Sequence, residues 1–339
     1  MSSKYRPKSA RQKLIALSIS YERENLLRRG MGIEHLRELL LGLARPLIQG
    51  SANIAYAGHW RETDDNFTYE LLQLISDERE EQSIAVAHSS SAPPLGWLYN
   101  HLAWPNYLTV TPEIEARWAH CCRIIRVTQP LAGIPPASRV ADSLPVPDSD
   151  AATLNSAIVL SAMRKLATQG MTLEIAGIPQ GERPKVPRLD ARILLGGKLS
   201  GYSGFLPGLF EEALLAMEDS VPLYILGGFG GSAGALSEAL LAPKRTRTPE
   251  LAFDWHAQHT PQVKQLETLA GQKPLPEGLR TGSRALGDLY KRIDAARGPS
   301  LASALKTGLS RTETVELMTT IDIRRALYLC LKAIVPDAV

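Results

Sequence analysis

Cysteine is scarce in this 339-residue chain, charge of either sign barely prevails, and long apolar runs are missing. The three cysteines are Cys121, Cys122 and Cys330. Adjacent cysteines rarely bridge, and no C-x-x-C pair occurs, so neither a disulfide framework nor a zinc knuckle has support and a reducing cytoplasm is the natural setting. Basic residues number 38 and acidic residues 35, a net charge of +3. That balance gives no indication of nucleic acid or of an anionic membrane as partner. No apolar segment approaches the roughly 20 residues that span a bilayer. Lys4, Arg6, Lys8, Arg11 and Lys13 precede the apolar run Leu14–Ile19, in faint imitation of a signal peptide. The run is short and Glu22, Arg23 and Glu24 follow at once, so it reads as a buried strand. His256 and His259, near Asp254, make a poor metal set, and neither a metal nor a cofactor is expected.

What the chain does have is an alternation of short apolar runs and helical periods. Leu14–Ser20 reads as a strand, and Ile33–Gln49 as a helix with leucines 36, 39, 40, 43 and 47 on one stripe, closed by Gly50. Ala52–Ala57 reads as a strand, Phe67–Ser76 as a helix, and Ser83–Ala87 as a third strand. Prolines assign Ser89–Pro105 to a loop and make Pro130–Asp150 irregular, either a surface excursion or a lid. Ile124–Val127 follows as a strand and Ala152–Thr168 as a helix. Leu189–Leu195 and Val221–Leu226 are strands, each with a helix after it, Leu206–Met217 and Ser232–Leu241. The rhythm predicts an α/β fold: a Rossmann-like parallel sheet with helices on both faces. Past the basic, proline-bounded connector Lys244–Pro249 only helical patterns remain. The expected organisation is a nucleotide-binding domain over residues 1–243 and a helical C-terminal extension over 244–339, packed on it.

Chemistry concentrates where strands meet helices. Asp190-Ala-Arg-Ile-Leu-Leu-Gly196-Gly197-Lys198 runs from a strand into a glycine-rich loop holding Gly201 and Gly204, and Pro207-Gly208 then opens a helix bearing Glu211 and Glu212. Glycines let backbone amides approach an anion, and a helix N-terminus adds partial positive charge. Gly227-Gly228-Phe229-Gly230-Gly231 follows the next strand and precedes the next helix. Adjacent parallel strands bring both loops to the carboxyl edge, where open α/β sheets bind ligands. Neither loop is a dinucleotide G-x-G-x-x-G or a Walker loop. A third element, Tyr56-Ala-Gly58-His59-Trp60-Arg61 with Asn66-Phe67-Thr68, follows the second strand. Thr68 suits a phosphate at a helix start. Arg61 suits a bidentate phosphate contact or a surface ion pair with Glu62 or Asp64. Trp60 suits base stacking or the core, and His59 lacks a sequence-visible partner. Ser20 and Tyr21 end the first strand at the same edge.

Together these segments resemble the SLOG superfamily, the nucleotide-binding Rossmannoid group that includes the Lonely Guy phosphoribohydrolases and the DNA-processing protein A fold. They resemble most the SLOG domains of prokaryotic conflict systems, relatives of the Thoeris antiphage sensors. The carrying motifs are Ser18-Ile19-Ser20, Tyr56 to Gly58 with Arg61 and Asn66 to Thr68, Met163-Arg164, Asp190 to Glu212, and Gly227 to Gly231. Ala57 and Asn66 depart from the family pattern, which has glycine at both places.

The resemblance implies a sensor of a phosphorylated nucleotide, NAD-derived or like a cyclic ADP-ribose, in antiphage defence. Its phosphates would rest on Gly196, Gly197, Gly204, Pro207 and Gly208 and on Gly227, Gly228, Phe229 and Gly230, clamped by Arg61, Arg164 or Lys198. Ser20, Tyr21, Gly58, Phe67 and Thr68 would complete the binding set, with a glutamate on ribose. The alternatives are an N-glycosidic-bond hydrolase using Glu211 or Glu212, and a DNA-binding or scaffold protein. A homo-oligomer is expected, with a separate effector or signal-producing protein as a further partner.

Overall fold

Period-two alternation in the first strand sets the architecture. In β1 (Leu14–Ser20), Ile15 and Leu17 enter one core while Leu14 and Ala16 enter another. A strand whose two faces are both apolar must be covered on both sides. The computed structural model, which describes residues 13–61, 66–86, 95–173 and 182–335, supplies that cover.

Six strands form one parallel sheet: β1, β2 (Asn53–Tyr56), β3 (Leu98–Ala103), β4 (Cys122–Val127) and, after a small antiparallel ribbon of β5 (Met171–Thr172) and β6 (Lys185–Val186), β7 (Ala191–Gly196) and β8 (Leu223–Leu226). Their order is β4-β3-β2-β1-β7-β8. The chain moves from β1 toward β2 on one side and from β7 toward β8 on the other. The crevice between the carboxyl ends of β1 and β7 is therefore the topological switch point of the sheet, the place where doubly wound folds receive ligands.

The helices are α1 (Arg23–Leu27), α2 (Ile33–Gln49), α3 (Phe67–Val86), α4 (Pro112–Trp118), α5 (Asp150–Gln169), α6 (Gly208–Glu218) and α7 (Gly231–Leu241), then α8 (Phe253–His259), α9 (Gln262–Gln272), α10 (Gly282–Ala296), α11 (Leu301–Leu305), α12 (Arg311–Thr319) and α13 (Ile323–Ile334). The leucine stripe of α2 is buried along its length. Leu329, Cys330 and Ile334 of α13 join the same core. On the opposite face α6, α7 and α10 share a second core with Leu194, Leu223 and Ile225.

Two expectations fail in the stretch before β4. The segment from Ser83 to Val86 continues α3 and is not a strand; Ala87 lies outside the described residues. The true third strand, Leu98–Ala103, falls where a loop was expected. All six of its residues are buried, including Asn100 and His101, whose polarity breaks the apolar run that marks an internal strand. Asn100 is tolerated there because it is fully paired: it accepts from Trp60 Nε1 at 2.8 Å and donates to the carbonyls of Tyr56 at 3.3 Å and Gly58 at 3.2 Å. The proline-rich stretch 130–148 is irregular as expected. It is pinned behind α5 by Gln129, which bonds both the amide and the carbonyl of Val140 and receives Asn155 Nδ2 at 2.9 Å.

Candidate functional site

On the face of the sheet that meets α5, the strands carry small residues. Ala16, Ser18 and Ser20 of β1 alternate with Ile15, Leu17 and Ile19, and Ala55 sits beside Ala16 on β2. Short side chains there keep α5 away from the strands at their carboxyl ends and leave a cleft with two adjoining chambers.

The inner chamber, about 180 Å³, is floored by Ala16, Ser18, Ser20, Ala55 and Ala57 and roofed by Leu160, Met163, Arg164 and Ala167 of α5. His101, Arg192, Gly208 and Glu212 complete its wall. The outer chamber, about 380 Å³, shares Ser20, Tyr56, Ala57, His101, Leu160 and Met163 with the inner one and adds Tyr21, Gly58, Phe67, Asn106 and Lys198. Tyr21 and Phe67 meet edge to face at 6.3 Å, an aromatic wall at its mouth.

A buried ionic network lies beneath the inner chamber. Arg192, 3% exposed near the start of β7, donates to Ser18 Oγ at 2.8 Å and Thr168 Oγ1 at 3.0 Å, and its Nη1 lies 2.8 Å from Glu212 Oε2. Burial lowers the pKa of this guanidinium, and the Glu212 charge counters the shift. Arg164 of α5 binds Glu211 and approaches Glu212 to 4.0 Å. It also lies across the start of α6, where a Cβ on Gly208 would stand 3.0 Å from Arg164 Nη2; glycine gives the arginine its place. His101 is fully buried, and desolvation first, then the Arg192 charge, pushes its pKa from 6.5 down to about 4. It is a neutral imidazole at neutral pH.

The predicted binding residues divide accordingly. Ser20, Arg164, Gly208 and Glu212 line the inner chamber, and Ser20, Tyr21, Gly58, Phe67 and Lys198 line the outer one. Glu211 faces a separate cavity of about 560 Å³ between α5 and α6. Arg61 is exposed and lines neither chamber. Thr68 is fully buried; its hydroxyl donates to the His59 carbonyl at 2.8 Å and its amide to Asn66 Oδ1 at 2.9 Å, so it holds the loop and faces no ligand. Asn66, where the resembled family has glycine, thereby caps α3. Trp60 is core, packed on Tyr69.

Both glycine loops leave the carboxyl edge, yet their amides are largely committed within the protein. In the first loop, Gly197 N–H donates to the Ser20 carbonyl at 2.5 Å and Lys198 N–H to Ser20 Oγ at 3.2 Å. The amides of Leu199 and Ser200 both donate to Glu22 Oε1 at 2.7 Å, and Gly201 N–H donates to Thr260 Oγ1 at 3.1 Å. An internal carboxylate thus sits where a phosphate was expected. Gly196, Gly197, Gly204 and Pro207 do not line the chambers. In the second loop Gly227, Gly228 and Phe229 are buried and, with Gly230, lie outside both chambers. A Cβ on Gly228 would stand 2.0 Å from the Thr320 carbonyl oxygen, so close packing on the end of α12 demands glycine there. Ser232 joins the two loops, its amide donating to the Gly197 carbonyl at 3.1 Å and its hydroxyl to that of Lys198 at 2.6 Å.

Sequence reasoning missed Arg192 and His101 as wall residues. The signal for Arg192 was present: a charge inside the apolar strand Ala191–Gly196, where neither face reaches water, needs a buried partner. His101 had no such signal once its strand was read as a loop. His256 hydrogen-bonds the Glu250 carbonyl at 2.8 Å and His259 that of Trp255 at 2.7 Å. Among the described residues no helix is long and apolar enough to cross a membrane.

Comparison with protein families matches residues 9–178 and 183–276 to the family described as SLOG cluster2. No curated protein matches the chain.

Proposed function

The chain belongs to the SLOG cluster2 family, and on that premise we propose that it is a sensor that holds a phosphorylated nucleotide in the two-chambered cleft. Family membership supports a nucleotide-related function. The observation that carries the finer reading is the position and lining of the cleft. It opens at the switch point between β1 and β7, over small side chains, with Arg164 and Arg192 inside and the exposed Lys198 ammonium at its mouth. Its outer chamber, about 380 Å³, falls in the size range of small-molecule sites. The resemblance to conflict-system sensors supplies the ligand class, an NAD-derived or cyclic ADP-ribose-like nucleotide, and the setting, cytoplasmic antiphage defence. Such a sensor would act by self-assembly or through a separate effector, and the ligand must favour one of two states of the protein.

Calorimetric titration with ADP-ribose, cyclic ADP-ribose, NAD and AMP tests this reading, with chromatography of each mixture. Binding without turnover is expected, and it is to be lost in Ala57→Trp, which fills the shared rim of the chambers. Failure of every compound to bind the folded protein would reject it. A hydrolase remains the second reading because Glu212 reaches the inner chamber. Release of free base, abolished by Glu212→Gln, would establish that reading in place of the sensor.

A further inference from the structure

The cavity of about 560 Å³ between α5 and α6 shares no lining residue with either chamber of the cleft. Both helices are two-faced. α5 turns Leu160, Met163 and Arg164 toward the inner chamber and Ser161, Lys165 and Gln169 toward this cavity. α6 turns Gly208 and Glu212 one way and Leu214, Leu215 and Glu218 the other. Residues three and four apart share a helix face, so each helix lines two separate spaces. Leu131 to Gly133 and Pro276 to Arg280 add further wall from two loops. The cavity has the size of a small-molecule site, and leucines 131, 166, 214, 215 and 279 give it the apolar lining of one.

Two polar atoms of that wall are shielded from water and lack hydrogen-bond partners, Ser161 Oγ and Asp219 Oδ2. Ser161 is only 8% exposed. Buried polar groups are nearly always paired, and two orphans on one cavity mark the place of a guest. They stand apart along it. Ser161 precedes Gln169 by roughly 12 Å of α5, and Gln169 Nε2 reaches the other carboxylate oxygen of Asp219 at 3.4 Å.

Charge selects the guest. Glu211 is held by Arg164, and Glu218 by two Arg280 nitrogens at 2.7 and 2.6 Å. Lys165 and Glu277 are exposed, so water screens them. That leaves Asp219, half-buried and, among the described residues, without an ion pair. It follows the last residue of α6 and lies beside Gln169, the last of α5, where both helix dipoles add partial negative charge. A shielded carboxylate oxygen in that field calls for a positively charged N–H donor.

We propose that this cavity is a second ligand site, for an amphipathic amine whose apolar body packs on the leucines and whose ammonium binds Asp219. The site stands apart from the cleft and does not depend on the nucleotide reading. The two spaces nevertheless share a partition, because Glu211 in the wall of one grips Arg164 in the wall of the other.

Tryptamine, tryptophol and indole-3-acetate share one apolar body and differ in charge, and calorimetry on the intact chain compares them. Tryptamine is expected to bind at least about tenfold tighter than indole-3-acetate, the worth of one charge-assisted hydrogen bond, with tryptophol between them. Asp219→Asn, which keeps the shape of the side chain, should level the series. Ala162→Trp, which fills the cavity, should abolish tryptamine binding, and Ala57→Trp, which blocks the cleft instead, should leave it intact. The series on unaltered protein decides the matter even if a variant fails to fold. Equal affinities across it, failure of tryptamine to bind at millimolar concentration, or loss of binding in Ala57→Trp would overturn the proposal. A change of oligomeric state in Ala162→Trp, read by light scattering, would also overturn it and assign the cavity to a second copy of the chain.

Discussion

Glu22 shows how one side chain redirects a motif. From sequence, the loop after β7 has every attribute of a phosphate cradle. In the fold, the carboxylate of Glu22 receives the amides of Leu199 and Ser200 and the hydroxyl of Ser200. Nothing local to the loop announces this, because the acid comes from the end of β1, far away in the chain. Glu22→Ala should free those amides, give measurable affinity for inorganic phosphate where the unaltered protein has little, and lower stability by about 1–3 kcal/mol, read by calorimetry and denaturant melts. His101 makes a pH prediction. The unfolded chain takes up a proton there below about 6.5 and the folded chain only below about 4, so the unfolded state binds more protons between those values. Stability therefore falls as pH drops through that window, by on the order of 3 kcal/mol from this residue. His256 is depressed in the same direction by burial. Denaturant melts at about pH 7.5 and about pH 5 should show the acid loss, and His101→Asn should remove its larger part.

Elements with a strong period were legible and those with a mixed one were not. The α2 stripe, the apolar core of β7 and the Gly-bounded end of α5 declare themselves through spacing. β3 does not, since Asn100 and His101 are polar residues made acceptable only by partners on other elements. The same limit hid half of the site. Its floor consists of small residues on one face of β1, which sequence alone reads simply as a strand, and its roof is the α5 row Leu160, Met163, Arg164 and Ala167. Enlarging the floor should therefore block the site while sparing the fold. Because Ala57 is exposed at the rim, Ala57→Trp is expected to abolish ligand affinity at a cost within about 0.5 kcal/mol of stability, checked by pairing calorimetry with thermal melts.

Across the whole molecule, the C-terminal helices are part of the packing around the sheet. Thr320 closes on Gly228, α13 fills the groove along α2, and Arg325 holds Glu316 with two bonds of 2.7 Å. Gly228→Ala should force Thr320 back from the loop and destabilise the protein by about 1–3 kcal/mol in a denaturant melt, without a direct contact to the chambers.

The two cations of the inner chamber are neutralised in place and shielded from solvent, whereas Lys198 stands in water. Mobile ions screen the second kind of charge and scarcely reach the first. Raising ionic strength should weaken capture of every phosphorylated compound by a similar factor while leaving their rank order intact. Attraction at the mouth would set how often a molecule arrives, and the fit to the buried lining would decide which one stays.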